Sequence, residues 1–308
     1  MMGMAAPAPD WTQRRERGSL PLIRLMVWFS LAAGRGVSRA VLRVIALYFF
    51  LTGGAARRAT REFLARCLGR NPSLAEQYRT FFAFAATIHD RVYFLKERFE
   101  LFDIAVHGRE LFEASGGALL MGGHVGSFES MRACGRSFIH RRVAMAMYGA
   151  QAQKLQAVLE AIAPGAARDI VALGHVDSML ALERCLEEGA LVGVLADRTF
   201  QDEATIEVPF MGASARFPTG PMRMAAATRQ RVIFMTGLYR GANRYELHFE
   251  PLADFTDLDG LTRAEREARV HAAVRAFAGR LEHHARSAPH NWFNFFDFWH
   301  DHSAGTSA

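Results

Sequence analysis

Lysine is almost missing from this chain: of 37 basic residues only Lys96 and Lys154 are lysines, so the formal charge of +6 is carried by arginine. Cysteine is as scarce. Cys67, Cys134 and Cys185 are odd in number, far apart and form no CxxC pair, which argues against a disulfide framework or a cysteine zinc site and makes a reducing compartment the default. There is no P-loop, no G-x-G-x-x-G turn and no cluster of metal-ligating side chains, so no nucleotide, metal or other cofactor is expected. Long uncharged apolar runs are missing too. The longest, Val44–Ala56, falls short of the roughly 18–20 residues that span a bilayer. No apolar segment followed by a small-residue cleavage site stands at the N-terminus, so no signal peptide is read there.

What remains is a chain of 308 residues, half of them hydrophobic, long enough to bury a core. Its basic balance favours anionic partners. The arginines lie among apolar stretches and not beside exposed stacking aromatics, so nucleic acid is not expected among them. Residues 1–18 read as a flexible tail. From Leu20 to Gly54 the sequence is aliphatic and aromatic, interrupted by Arg24, Arg35, Arg39 and Arg43. The last three recur every four residues and form one stripe on a helix. That pattern fits a helix lying in a membrane interface, or equally an amphipathic helix packed on the domain. Further helices follow to about residue 100, divided at Asn71-Pro72, with Phe81, Phe82, Phe84 and Ile88 as expected core.

Beyond Phe102 short apolar runs alternate with helical stretches. The runs are Ala118–Met121, Val143–Tyr148, Ile170–Leu173, Leu191–Leu195, Val232–Leu238 and Tyr245–Phe249. The expected helices are Ser127–Phe138, Ala152–Ile162, Asp177–Glu187 and Gly220–Thr228. The alternation predicts an α/β fold, a mixed and partly parallel sheet flanked by helices. The last two strands are expected to form an antiparallel hairpin across Arg240–Asn243. Thr262 and Glu265 predict a capping box opening a helix to Arg286. The expected division is a tail (1–18), a helical region (19–105), an α/β core (106–300) and a second tail (301–308).

Three groups of residues could carry chemistry. The first is Gly122-Gly123-His124, at a strand's carboxyl end, with Glu129 five positions on. The carboxyl edge of an α/β sheet is where ligands bind. A neutral imidazole can take a proton near neutrality, and a carboxylate on its other nitrogen would fix its tautomer; the same pair could also be structural. Ser127 fails the G-x-S-x-G elbow, which would need glycine at Val125 and Glu129, and reads as an N-cap. The second is Asp197-Arg198, after the strand Leu191–Leu195. It is either a loop salt bridge or a binding pair, Arg198 for an anion or oxyanion and Asp197 for substrate or for Arg198. The third is the turn-rich apolar stretch Val208–Met224, with Phe210, Thr219 as N-cap and Gly220 entering a helix. It either walls a tunnel for an acyl chain or packs the domain. The closing aromatics, Trp292 to Trp299, read as a core or docking feature, or as a contact for ligand or membrane.

Gly122-Gly123-His124-Val125-Gly126-Ser127-Phe128-Glu129 resembles the His-x4-Glu/Asp signature of glycerolipid and lipid A-type acyltransferases. With Leu195-Ala196-Asp197-Arg198, Pro209-Phe210-Met211-Gly212 and Pro218-Thr219-Gly220-Pro221 in that order, the chain resembles the bacterial lipid A biosynthesis (lauroyl/myristoyl) acyltransferase family of the lysophospholipid acyltransferase superfamily. The likeness runs over roughly residues 15–300. The ending Trp292–Trp299 resembles a subgroup found with aryl-polyene pathways. The resemblance implies a glycerolipid acyltransferase-like fold with an N-terminal membrane-docking region. It further implies transfer of an acyl group from an acyl carrier protein or coenzyme A thioester to a hydroxyl of a lipid or glycolipid. His124 would be the base and Glu129 its partner. Gly123, Ser127, Asp197, Arg198, Phe210 and Gly220 would bind substrate, at the cytoplasmic face of the inner membrane, peripherally or monotopically. Tyr148-Gly149-Ala150 stands where lipid A-type members commonly have Tyr-Arg-Pro, so a phosphorylated disaccharide acceptor is not carried over. A thioesterase using the same histidine, or an inert membrane-associated scaffold, are the alternatives.

Overall fold

The computed structural model describes residues 20–113, 116–134, 141–163, 169–173, 176–199 and 203–299. Both expected tails lie outside them, as does the end of the helix expected to reach Phe138. Three helices come first: α1 Leu20–Thr52, α2 Gly54–Leu68 and α3 Leu74–Leu95. Gly34, at φ 78°, breaks α1 into two pieces, a conformation that costs a residue without Cβ little. Helix α2 stops at Gly69 in the left-handed region. Helix α3 starts on a capping box, Ser73 with Glu76.

The α/β part follows as β1 Asp103–His107, β2 Ala118–Gly122, α4 Phe128–Cys134, β3 Val143–Tyr148, α5 Gly149–Ile162, β4 Ile170–Leu173, α6 Val176–Glu187 and β5 Leu191–Leu195. Then come β6 Thr205–Phe210, β7 Ala213–Pro218, α7 Gly220–Ala227, β8 Arg231–Gly241, β9 Arg244–Asp254 and α8 Arg263–Ser287. Strand β1 straddles the expected boundary at residue 105. Seven strands form one sheet in the order β1-β9-β8-β2-β5-β3-β4. Only β8 and β9 pair antiparallel in it, as the hairpin across residues 240–243; the other pairs are parallel. Strand β2 is buried at every position, which explains its unbroken apolar run: helices and loops cover both faces of a parallel sheet. One face packs on α8 through Phe277 and Leu281, and the other gathers Leu120, Met131 and Met235. The capping box at Thr262 is formed as expected.

The structure corrects three expectations. Residues 205–218 form a two-stranded hairpin, β6–β7, turned through Met211 and Gly212, both at positive φ, as in a type I′ turn. The hydroxyl of Thr219 donates to the Ala204 carbonyl at 3.0 Å and does not cap α7. Among the expected core residues Phe81 is buried, but Phe84 and Ile88 face outward.

Two arginines of the α1 stripe, Arg35 and Arg39, point inward, while Arg43 stays exposed. Arg35 Nε donates to Asp90 Oδ1 at 2.8 Å and Arg39 Nη2 to Asp90 Oδ2 at 2.5 Å. Tyr245 Oη donates to the same Oδ2 at 2.8 Å, and Arg43 rests on the Phe82 ring. The Asp90 side chain is fully buried. Burial pushes its carboxyl up, but His89, Arg35 and Arg39 outweigh that and hold it below the ordinary value. The apolar side of α1, with Trp28, Val37, Val44, Tyr48 and Leu51, is thereby left exposed. Among the described residues, Arg24–Thr52 is the one helical stretch long and apolar enough to cross a membrane by length and composition. Asp90→Asn leaves two arginine charges without their counterion. It is expected to destabilise the fold by about 3–5 kcal/mol, read as a lower denaturation midpoint.

Candidate active site

Strand β2 delivers Gly122 and Gly123 to the carboxyl edge of the sheet, and β5 pairs alongside in register from Ala118↔Leu191 to Gly122↔Leu195. The two chains stay together beyond the strands, because Ala196 N donates to the Gly122 carbonyl at 2.8 Å. His124 and Asp197 therefore emerge side by side. The backbone N–H of His124 donates to Asp197 Oδ2 at 2.8 Å, and its ring Nδ1 lies 2.7 Å from Asp197 Oδ1. A Cβ on Gly123 would stand 2.6 Å from Leu281 Cδ1 and 3.1 Å from the Asp197 carboxyl carbon. The carboxylate can approach this closely because residue 123 has no side chain.

Asp197 is 2% exposed, whereas 26% of the His124 side chain reaches solvent. Burial alone would raise the Asp197 pKa, but the pairing with His124 and the charge of Arg198 lower it to about 2. For His124, burial and the Arg198 charge act first and hold its pKa below the ordinary imidazole value, with Asp197 pulling the other way. At neutral pH the pair is a carboxylate and a neutral imidazole. The proton then sits on Nδ1, facing Asp197, and Nε2 is left as a proton acceptor.

Glu129 takes another place. It lies in the first turn of α4, 3% exposed, with Arg91 Nε of α3 3.9 Å from its Oε1. The nitrogen it was expected to hold belongs to Asp197. The reason is geometric: Gly126, at φ 80°, turns the chain into a new helix, whereas Asp197 arrives from the neighbouring strand. Ser127 Oγ accepts from Ser130 N at 3.2 Å and is occupied as the N-cap of α4. Arg198 is not spent on Asp197: its Nη2 donates to the Phe293 carbonyl at 3.2 Å and its guanidinium lies over the Phe296 ring. Phe210 is wholly buried in an aromatic group with Phe217, Trp292 and Phe298. Gly220 opens α7.

The closing segment, expected as a core or docking feature or as a contact for ligand or membrane, packs against the His124 loop. Phe293 N donates to the His124 carbonyl and Gly126 N to the Asn291 carbonyl, each at 2.8 Å, while Val125 and Trp292 form an antiparallel bridge. The Trp292 indole N–H points to Asp197 Oδ2 at 3.4 Å. The available signal was polar Asn291 and Asn294 inside an aromatic run, since both prove to be buried. Among the described residues no group of three or more His, Cys, Asp or Glu side chains is arranged to hold a metal ion.

A family model described as bacterial lipid A biosynthesis acyltransferase matches residues 18–301. No curated protein matches the sequence. Among solved structures the chain is similar to the 1-acyl-sn-glycerophosphate (LPA) acyltransferase PlsC from Thermotoga maritima. The two share 16% identity over 85% of this chain and 97% of that one, with a TM-score of 0.37.

A carboxylate held at about 2 when folded and 3.8 when unfolded contributes stability above the unfolded value, and loses it as pH falls through the folded one. That contribution is about 2 kcal/mol. Denaturant titrations of the wild type and Asp197→Asn should therefore show a gap that is constant above about pH 5 and narrows towards pH 2. A gap that does not depend on pH would mean that Asp197 is not the ionised partner.

Proposed function

Since the chain belongs to the bacterial lipid A biosynthesis acyltransferase family, the O-acyltransferases of lipid biosynthesis, we propose that His124 is its general base in moving a fatty acyl group from a thioester to a lipid hydroxyl. The observation that carries this reading is the Nδ1 contact of 2.7 Å to a buried carboxylate, which leaves Nε2 as the acceptor in a partly exposed position. The acceptor's O–H proton passes to Nε2 as its oxygen attacks the thioester carbonyl carbon. The tetrahedral intermediate collapses by breaking the C–S bond, and the imidazolium returns its proton to the departing thiolate. Asp197 orients the ring and stabilises the imidazolium, the role first assigned to Glu129. Arg198, aimed by Phe293 and Phe296, supplies positive charge beside the developing oxyanion. Ser127 stays a cap, so no acyl-enzyme forms on it.

The donor in this reading is an acyl carrier protein or coenzyme A thioester. Both are anionic and suit a chain of net charge +6. The acceptor is a lipid or glycolipid reached from the membrane surface. The exposed apolar side of α1, with Phe84 and Ile88 of α3, supports peripheral or monotopic docking at the cytoplasmic face of the inner membrane. The inward-facing arginines contribute to that docking only by holding α1 in place.

His124→Ala is expected to abolish transfer while folding and vesicle binding persist; full activity would sink the general-base reading. Asp197→Asn should lower turnover by about 10³–10⁴-fold, as for an orienting carboxylate, and Glu129→Gln by far less. The wild-type rate should fall on the acid side only below the ordinary imidazole value of about 6.5, because burial and Arg198 lower the His124 pKa. Rapid acyl release from the thioester without any acceptor would favour a hydrolase.

A further inference from the structure

The residues that hold the dyad are not all on β2 and β5. Asn291, at the end of the 3-10 turn Pro289–Asn291, and the residues Trp292 and Phe293 that follow run along the His124 loop, and each makes a different bond to it or to the strand-end pair. The Asn291 carbonyl accepts from Gly126 N and Phe293 N donates to the His124 carbonyl, both at 2.8 Å. The Phe293 carbonyl accepts from Arg198 Nη2 at 3.2 Å, and Trp292 Nε1 approaches Asp197 Oδ2 at 3.4 Å. The segment is itself fixed: Asn291 Oδ1 accepts from Tyr239 N at 2.7 Å and its Nδ2 donates to the Tyr239 carbonyl at 3.0 Å. Trp292 is 1% exposed, with its ring against Phe63 and Phe298. Asp197 Oδ2 then faces two donors, the His124 N–H and the indole, while Oδ1 faces the imidazole.

We propose that residues 291–293 are a positioning strap for the His124–Asp197–Arg198 group, and that the Trp292 indole N–H sets the basicity of His124 through Asp197. The direction follows from electrostatics. A donor on Asp197 Oδ2 draws negative charge away from Oδ1, which weakens the pull of Asp197 on the imidazolium and keeps His124 neutral to lower pH. Trp292 touches no reacting atom and acts only through Asp197. The kinetic part rests on the reading of His124 as general base; the effect on its titration does not.

Trp292→Phe keeps a ring in the aromatic group and removes the N–H. In the labelled full-length protein, the His124 imidazole should bind its proton about threefold more tightly, the scale of one modest hydrogen bond, and its NMR midpoint should move to higher pH. The acid limb of the kcat profile should move with it while KM for the thioester holds. Phe298→Leu loosens the same packing without touching Asp197 and should leave the midpoint in place. An unmoved midpoint in Trp292→Phe, or an equal shift in Phe298→Leu, overturns the proposal. Should Trp292→Phe not fold, the wild type labelled with 15N-tryptophan still decides: one indole N–H resonance should titrate with the His124 midpoint and lose that titration in Asp197→Asn. The absence of any such resonance would overturn the proposal. Activity retained in His124→Ala, by contrast, would remove the general-base reading and leave the strap's effect on the titration standing.

Discussion

A carboxylate with both oxygens turned to one histidine is the interaction on which this site depends. Asp197 takes the backbone N–H of His124 on one oxygen and the ring on the other, so a single group fixes both where the loop runs and where its side chain points. This requires two strands to end at the same height, a glycine between strand and histidine, and enough donors to keep a buried acid ionised. Parallel pairing of β2 with β5 meets the first condition and Gly123 the second. The His124 N–H, its imidazole, the indole and the nearby Arg198 charge meet the third.

A similar arrangement recurs around Asp90 with a different outcome. Asp90 is also a buried carboxylate held by several donors, but there the bonds come from two arginines and a phenol, with His89 alongside, and they tie helices to the sheet. It joins α1 and α3 to the β8–β9 hairpin and does so with charge. Charge drawn inward leaves hydrocarbon outside, and α1 has an exposed apolar side for that reason.

Much of the sheet was legible in the sequence because strands buried on both faces read as short unbroken apolar runs. Ala118–Gly122 and Leu191–Leu195 are such strands, and the edge strand Ile170–Leu173, only half-buried, also lies where its apolar run is. The β6–β7 hairpin was not, because Pro209 and Pro218 mark loops by composition and sit here in a two-stranded ribbon that tolerates them. Spacing of four located the arginine stripe but could not say what it meets, since Asp90 lies 55 residues from Arg35. The partner of His124 was misassigned for the same reason. Glu129 was near in sequence, whereas Asp197 is 73 positions away and close only because β2 and β5 are neighbours. His124 and Asp197 were each identified from their places at strand ends; their contact was not.

Trp292 follows Asp197 by 95 residues, and this spacing bears on the order in which the contacts around Asp197 can form. A chain emerging at roughly 5–20 residues per second has its histidine and carboxylate several seconds before the segment that clasps them. Until that segment arrives, the loop after β2 lacks its antiparallel bridge and the buried acid lacks its indole. The bonds that close around His124 and Asp197 therefore form late in synthesis, long after α1 has been made.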